Sequence, residues 1–113
     1  CLGHQALGQY FGAKIIYAHE LAHGQIRQMD HCECSLFEDI SSPMLVMRYH
    51  SLALDNVNWP KDLMVTGRLK DHTIMAFQHV YLPIFGIQFH PESVGTPLGY
   101  RVLDRFLSNV TNF

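Results

Sequence analysis

Gly86-Ile87-Gln88-Phe89-His90-Pro91-Glu92-Ser93 is an apolar run that stops on a histidine and a carboxylate. Ile84 to Phe89 has the short, β-rich pattern of a strand. Pro91 biases His90 toward an extended backbone, so the chain leaves that strand without curling into a helix. In extended chain a two-residue spacing puts His90 and Glu92 on the same side, where the carboxylate can hold the imidazole. A solvated His and Glu at a strand end is a common pairing. It does not account for so apolar an approach.

Beyond Ser93 the chain reads as a helix. Thr96 suits an N-cap, and Pro97 suits the first helical position, where its missing N–H costs nothing. Val102, Leu103, Phe106, Leu107 and Val110 form one apolar face, with Arg101, Asp104, Arg105 and Ser108 opposite, predicting a helix from Pro97 to Ser108. Toward the start of the chain, strands are expected at Thr73 to His79, Leu63 to Thr66 and Met44 to Tyr49. Turns fall at Asp71-His72 and Asp55-Asn56, and Trp59-Pro60 breaks whatever precedes it. Residues 25–42 read as polar and irregular, while Ala13 to Ala18 contains the β-rich Ile15-Ile16-Tyr17. Leu2, Ala6, Leu7, Tyr10 and Phe11 recur at helical spacing before Gly12, predicting a helix from Gly3 to Phe11. Helices at both ends of a set of short strands make the class α/β or α+β. No repeat or linker divides residues 1–113, so one domain is expected.

Composition removes several classes of function. The chain has 113 residues, 48% of them apolar, and a net charge of −2, which excludes disorder. Eight Lys plus Arg against ten Asp plus Glu leave no basic field for a phosphate backbone, so nucleic acid is not an expected partner. No apolar run approaches the ~18 residues of a membrane span, so no membrane is expected either. Three cysteines without a secretory context argue for a reducing compartment and a cytoplasmic location. Met44, Met47, Met64 and Met75 lie in strand-like runs and read as core filler. His4, His19, His72 and His79 read as structural or exposed. His31-Cys32-Glu33-Cys34 has metal-ligand residue types, but Cys-x-Cys is tighter than zinc spacing and no second cysteine pair follows. It reads as a polar loop, and no metal or cofactor is expected.

Cys1 changes the meaning of His90 and Glu92. It stands directly before the first helix, where the positive end of the dipole favours the nucleophilic thiolate. The backbone N–H of Leu2 is placed to donate to an oxyanion. A cysteine, a histidine and an orienting carboxylate are the parts of a thiol acyl-transfer triad.

Cys1-Leu2-Gly3-His4-Gln5, followed in order by Phe89-His90-Pro91-Glu92-Ser93, resembles the class I (triad) glutamine amidotransferases. Arg48-Tyr49-His50-Ser51-Leu52 is similar to a segment of the glutaminase subunits of anthranilate synthase and aminodeoxychorismate synthase, and Ser93 fits that branch. His23-Gly24 and His31 through Leu36-Phe37 match further landmarks, so the resemblance covers nearly the whole chain. It implies a partial, flavodoxin-like three-layer α/β domain. Family domains continue upstream of the nucleophile with the first strands and a glycine-rich oxyanion loop. The domain is therefore expected to be N-terminally incomplete, and the chain alone weakly active or inactive.

The resemblance also implies roles. Cys1 is the nucleophile, His90 the general base and acid, and Glu92 the orienting carboxylate. Leu2, Gln5, Ser51 and Leu52 match positions that bind the substrate glutamine, which is cleaved to glutamate and ammonia. The partner is a chorismate-using synthase, with anthranilate synthase first and aminodeoxychorismate synthase the alternative. A further alternative is a non-catalytic fragment that only binds the synthase. Two departures stand out. Gln25, Ile26 and Arg27 replace the Lys-Thr-Ser of a loop near the partner, and Glu33 and Ser35 stand where glycines are expected. One competing reading is an N-terminal-nucleophile amidotransferase with the free amine as base. It would place Cys1 at a strand start in a four-layer sandwich, and it leaves His90 and Glu92 idle.

Overall fold

A computed structural model describes residues 1–111. The elements are α1 (Leu2–Tyr10), β1 (Ile15–His31), a 3-10 turn (Ser35–Phe37), β2 (Met44–Leu54), β3 (Leu63–Leu69), β4 (Ile74–His79), β5 (Phe85–Ile87) and α2 (Gly99–Thr111). Parallel neighbours need a crossover of about a dozen residues, whereas residues 70–73 and 80–84 leave room only for hairpins. All described pairings are accordingly antiparallel, in the order β2-β1-β3-β4-β5.

The sheet curls until its two ends approach. Beyond β5 the chain stays on β4 for one more bond, Gln88 N–H to the Met75 carbonyl at 2.8 Å. It then crosses to β2, where the His90 N–H donates to the Met47 carbonyl at 3.1 Å. This crossing carries His90 out of the strand and fixes its backbone. Gly99, at the start of α2, packs so tightly on the Pro91 carbonyl that a Cβ could not be placed there.

Two apolar clusters make three layers. Leu7 of α1 and Phe11 just after it pack on Ala13, Leu54, Leu63, Ile74 and Phe77. Val102 of α2 and the 3-10 turn pack on Met29, Met44, Val46, Met75 and Phe89. Neighbouring residues of β4 point to opposite faces, so Ile74 joins the first cluster and Met75 the second. The result is the partial α/β domain expected from the sequence. Cys1 stands before a helix and not at a strand start, against the N-terminal-nucleophile reading.

Four expectations are corrected. Residues 25–31 are not irregular, and Gln25 to Arg27 are not in a loop. They belong to β1 and pair with Arg48, Met47 and Val46. Ala22 and Met29 are its buried residues, and Ile26, Arg27 and Gln28 are exposed in succession, so its sequence carries little alternation. Gly24, at φ +75°, lies at an irregularity between His23 and Gln25. Met64 is exposed, because its strand turns it outward. Of the apolar face of α2, Val102 is buried, while Leu103, Phe106 and Leu107 remain exposed among the described residues. Cys32 and Cys34 are joined in a disulfide that leaves Cys1 as the free thiol. An odd cysteine count does not prevent one pair from forming, so the count alone does not establish a reducing compartment.

Candidate active site

Cys1 is the N-cap of α1, and its carbonyl takes the first helical bond from the Gln5 N–H at 3.2 Å. The N–H groups of Leu2, Gly3 and His4 therefore precede the intrahelical ladder and point toward the thiol end of the helix. The thiol donates to the Tyr49 carbonyl at 3.5 Å and accepts from Gln88 Nε2 at 3.4 Å. The Leu2 side chain is exposed and makes no part of this network.

His90 and Glu92 lie together, as their spacing predicts. His90 Nδ1 and Glu92 Oε2 are 3.1 Å apart. A carboxylate accepts only, so Nδ1 carries the proton and Nε2 keeps its lone pair. That Nε2 is buried and has no hydrogen-bond partner among the described residues. The Tyr49 ring meets the His90 ring edge-on, with centroids 5.2 Å apart. Tyr49 thus touches the thiol through its carbonyl and the imidazole through its ring. No hydrogen bond joins Cys1 to His90 directly, an arrangement common in unliganded catalytic sites.

The proposed glutamine-binding residues divide. Gln5 is buried, and its Nε2 donates to the Leu52 carbonyl at 3.3 Å and to Gln88 Oε1 at 3.2 Å. Leu52 therefore meets this network through its backbone. Ser51 is exposed and lies next to this network without a side-chain hydrogen bond among the described residues.

Behind the site Arg48 is wholly buried. It donates through Nε to His50 Nε2 at 3.0 Å and through Nη1 to Glu20 at 2.8 Å. Burial pulls the Arg48 guanidinium below its ordinary value, and the Glu20 carboxylate works against that. Burial likewise lowers His50, opposed by its bond to the Leu52 carbonyl. A cavity of about 460 Å³ lined by Glu20, Arg27, Arg48, Lys70 and Asp71 lies at the outer end of Arg48, away from the thiol.

Two residues of the site are given no part in it by the sequence reading, which has Thr96 as an N-cap. Gln88 is completely buried between Ile87 and Phe89, and a polar residue at the inward phase of an apolar strand is the signal that marks it. Thr96 does not cap α2 with its side chain. Its hydroxyl donates to the His90 carbonyl at 2.7 Å and accepts from the Met47 N–H at 2.9 Å, clasping the His90 segment to β2. Thr96→Val, nearly isosteric, leaves that N–H unpaired and should cost about 1–3 kcal/mol in urea unfolding. An unchanged unfolding midpoint would refute the clasp.

Comparison with known proteins places the chain in a family. A family model described as glutamine amidotransferase class-I matches residues 1–110. The chain belongs to this family. The amidotransferase chain is 46% identical to anthranilate synthase component 2 of Saccharolobus solfataricus, over 97% of its own length and 57% of the relative's. It is 40% identical to an aminodeoxychorismate/anthranilate synthase component 2 of Bacillus subtilis, covering 95% of itself and 55% of that protein. It spans about half the length of these curated relatives. Its fold is that of a Thermoplasma acidophilum protein named for a GMP synthase, with a TM-score of 0.89 at 23% identity, over 99% of this chain and 55% of that one. No helix among the described residues is long and apolar enough to cross a membrane.

Proposed function

We propose that these residues form the thiol site of a glutaminase that supplies ammonia to a chorismate-using synthase. The observation that carries the reading is the His90–Glu92 pair, which leaves a buried, unpartnered Nε2 on the far side of the ring from the carboxylate. The Cys1 thiolate attacks the side-chain amide carbon of glutamine, and the oxygen takes up the negative charge beside the first N–H groups of α1. His90 Nε2, which took the Cys1 thiol proton as the thiolate formed, gives that proton to the departing nitrogen, and the carbon–nitrogen bond breaks to release ammonia. Water then attacks the γ-glutamyl thioester while Nε2 takes its proton, giving glutamate and the free thiol. Glu92 stays ionised and holds the ring throughout. Gln5, Ser51 and the Leu52 backbone border the place for glutamine, with the Leu2 N–H as an oxyanion donor.

Full activity is proposed for a chain extended upstream of Cys1. Two observations support this. Among the described residues, the outer edge of β5 is unpaired except where the Cys1 amine reaches the Ile87 carbonyl at 3.4 Å. An apolar groove between Phe85, Ile87, Val102, Leu103 and Phe106 lies open beside that edge. Further strands would cover both.

Anthranilate is the proposed product of the assembled enzyme, on the strength of relatives named as anthranilate synthase component 2. The Bacillus subtilis relative, named for both synthases, favours 4-amino-4-deoxychorismate as the second reading. Co-purification of the upstream-extended chain with each synthase component, followed by glutamine-dependent product formation from chorismate, tests both. Failure to bind either component, with binding to a nucleotide-activating partner instead, would overturn the assignment.

A further inference from the structure

Hydrogen bonds link the buried Arg48 to the thiol in one unbroken chain, and its polarity can be read from groups that have no choice of role. Arg48 has donors only, so its Nε–H makes His50 Nε2 an acceptor at 3.0 Å. The His50 proton is then on Nδ1, which donates to the Leu52 carbonyl at 2.8 Å. A carbonyl only accepts, so the atom of Gln5 that meets Leu52 at 3.3 Å is its amide nitrogen. The second hydrogen of that nitrogen faces Gln88 at 3.2 Å and turns the Gln88 oxygen toward Gln5. Gln88 is left with an N–H for the Cys1 sulfur at 3.4 Å. Gln5, Arg48 and Gln88 are all buried, so water does not scramble this order.

We infer that Gln88 is a positioning residue for the nucleophile, and that the Leu52 carbonyl, acting through Gln5, holds it so that an N–H faces the sulfur. The inference rests on Cys1 being the nucleophile. The thiol has two neighbours of opposite kind. The Tyr49 carbonyl takes the S–H of the neutral form and repels a thiolate, while the Gln88 N–H favours the thiolate. A reversed Gln88 would put two oxygens against the sulfur and suppress ionisation. The charged and titratable groups around Cys1 are its own amino group, the His90–Glu92 pair, and the buried His4 and His50. Burial holds His4 at about 3 and lowers His50, so neither adds charge while a thiol titrates.

The test is the pH profile of Cys1 alkylation by iodoacetamide, read by mass spectrometry on the peptide that contains Cys1. Gln88→Glu sets a carboxylate against the sulfur. The rate at pH 7 should fall at least about tenfold, with the high-pH plateau unchanged, because only the thiolate reacts. Gln5→Glu should act in the same direction from one position further back, since Gln88 must turn its N–H toward the new carboxylate. Gln88→Met removes the donor without adding charge and should give a smaller fall. Profiles that coincide with the parent, in variants that keep the parent's circular dichroism, would overturn the inference. A measurement on the unaltered chain stands beside the variants. The side-chain amide resonances of Gln88 should shift with pH through the same midpoint as Cys1 alkylation, and their indifference to that titration would equally refute it. Neither readout involves glutamine, so a failure here is separable from a failure of the glutaminase reading.

Discussion

Cys1→Ser is expected to abolish glutamine hydrolysis in the upstream-extended protein assembled with its synthase, by at least about 10⁴-fold, while product formation from added ammonia survives. A serine hydroxyl has no accessible anion near neutral pH, and Gln88 has no thiolate to stabilise. Ammonia bypasses the nucleophile altogether, so the synthase reaction is blind to the change. His90→Ala should cost about 10²–10⁴-fold, because both proton transfers pass through its Nε2. Glu92→Gln should cost less, since an amide oxygen can still accept from Nδ1 and the orienting group transfers no proton. Initial rates of glutamate release and of glutamine- and ammonia-driven product formation give all three values. Undiminished glutamine hydrolysis in Cys1→Ser would end the thiol mechanism. Loss of the ammonia-driven rate as well would locate the damage in folding or assembly.

The parts of this site that could be read from the sequence are those fixed by neighbours in the chain. Pro91 extends His90, and two residues later Glu92 reaches the same ring, so their contact at 3.1 Å follows from local geometry alone. The helix after Cys1 follows from the spacing of Leu2, Ala6, Leu7, Tyr10 and Phe11, and it differs from expectation by one residue at each end. β1 was not legible in the same way. Its residues from Gln25 to Gln28 are mostly polar, and what makes them a strand is the partner β2, whose inward positions Met44, Val46, Arg48 and His50 are buried. A strand whose stability comes from across the ladder leaves a weak trace in its own sequence.

The long-range groups were harder still. Thr96 beside Pro97 has the signature of an N-cap, yet the hydroxyl is taken by the His90 carbonyl and the Met47 N–H, groups supplied by other segments of the chain. Gln88 looks like one polar interruption in a strand until Cys1 and Gln5 are seen on either side of it. Arg48 was legible as part of a family motif, but not as a wholly buried cation whose partner, Glu20, comes from the strand alongside. Each of these needs the sheet to be closed before its partner exists. The residues that touch the reacting groups are announced locally, and those that hold them in place are announced only by the fold.

Stability should fall as the solution is acidified from pH 7.5 to pH 5, and His4 should be the main cause. Its ring is buried on α1 against Phe77, with centroids 4.9 Å apart. Its nitrogens make no hydrogen bond of good geometry among the described residues. Burial pulls its pKa from 6.5 down to about 3, and the nearby Gly86 backbone offsets only part of that. In the unfolded chain His4 takes a proton near pH 6.5, so below that pH the unfolded state binds more protons than the folded one. The contribution is therefore fully present above pH 6.5 and is lost progressively toward about pH 3. By pH 5 the loss from His4 is about 2 kcal/mol, a large share of the 5–15 kcal/mol typical of a folded domain. His31 and His50, both lowered by burial, push in the same direction. His4→Leu removes the titration while keeping an apolar group against Phe77, so urea midpoints measured from pH 7.5 to pH 5 should flatten relative to the parent. Equal slopes in the two proteins would show that His4 is not the acid-sensitive group.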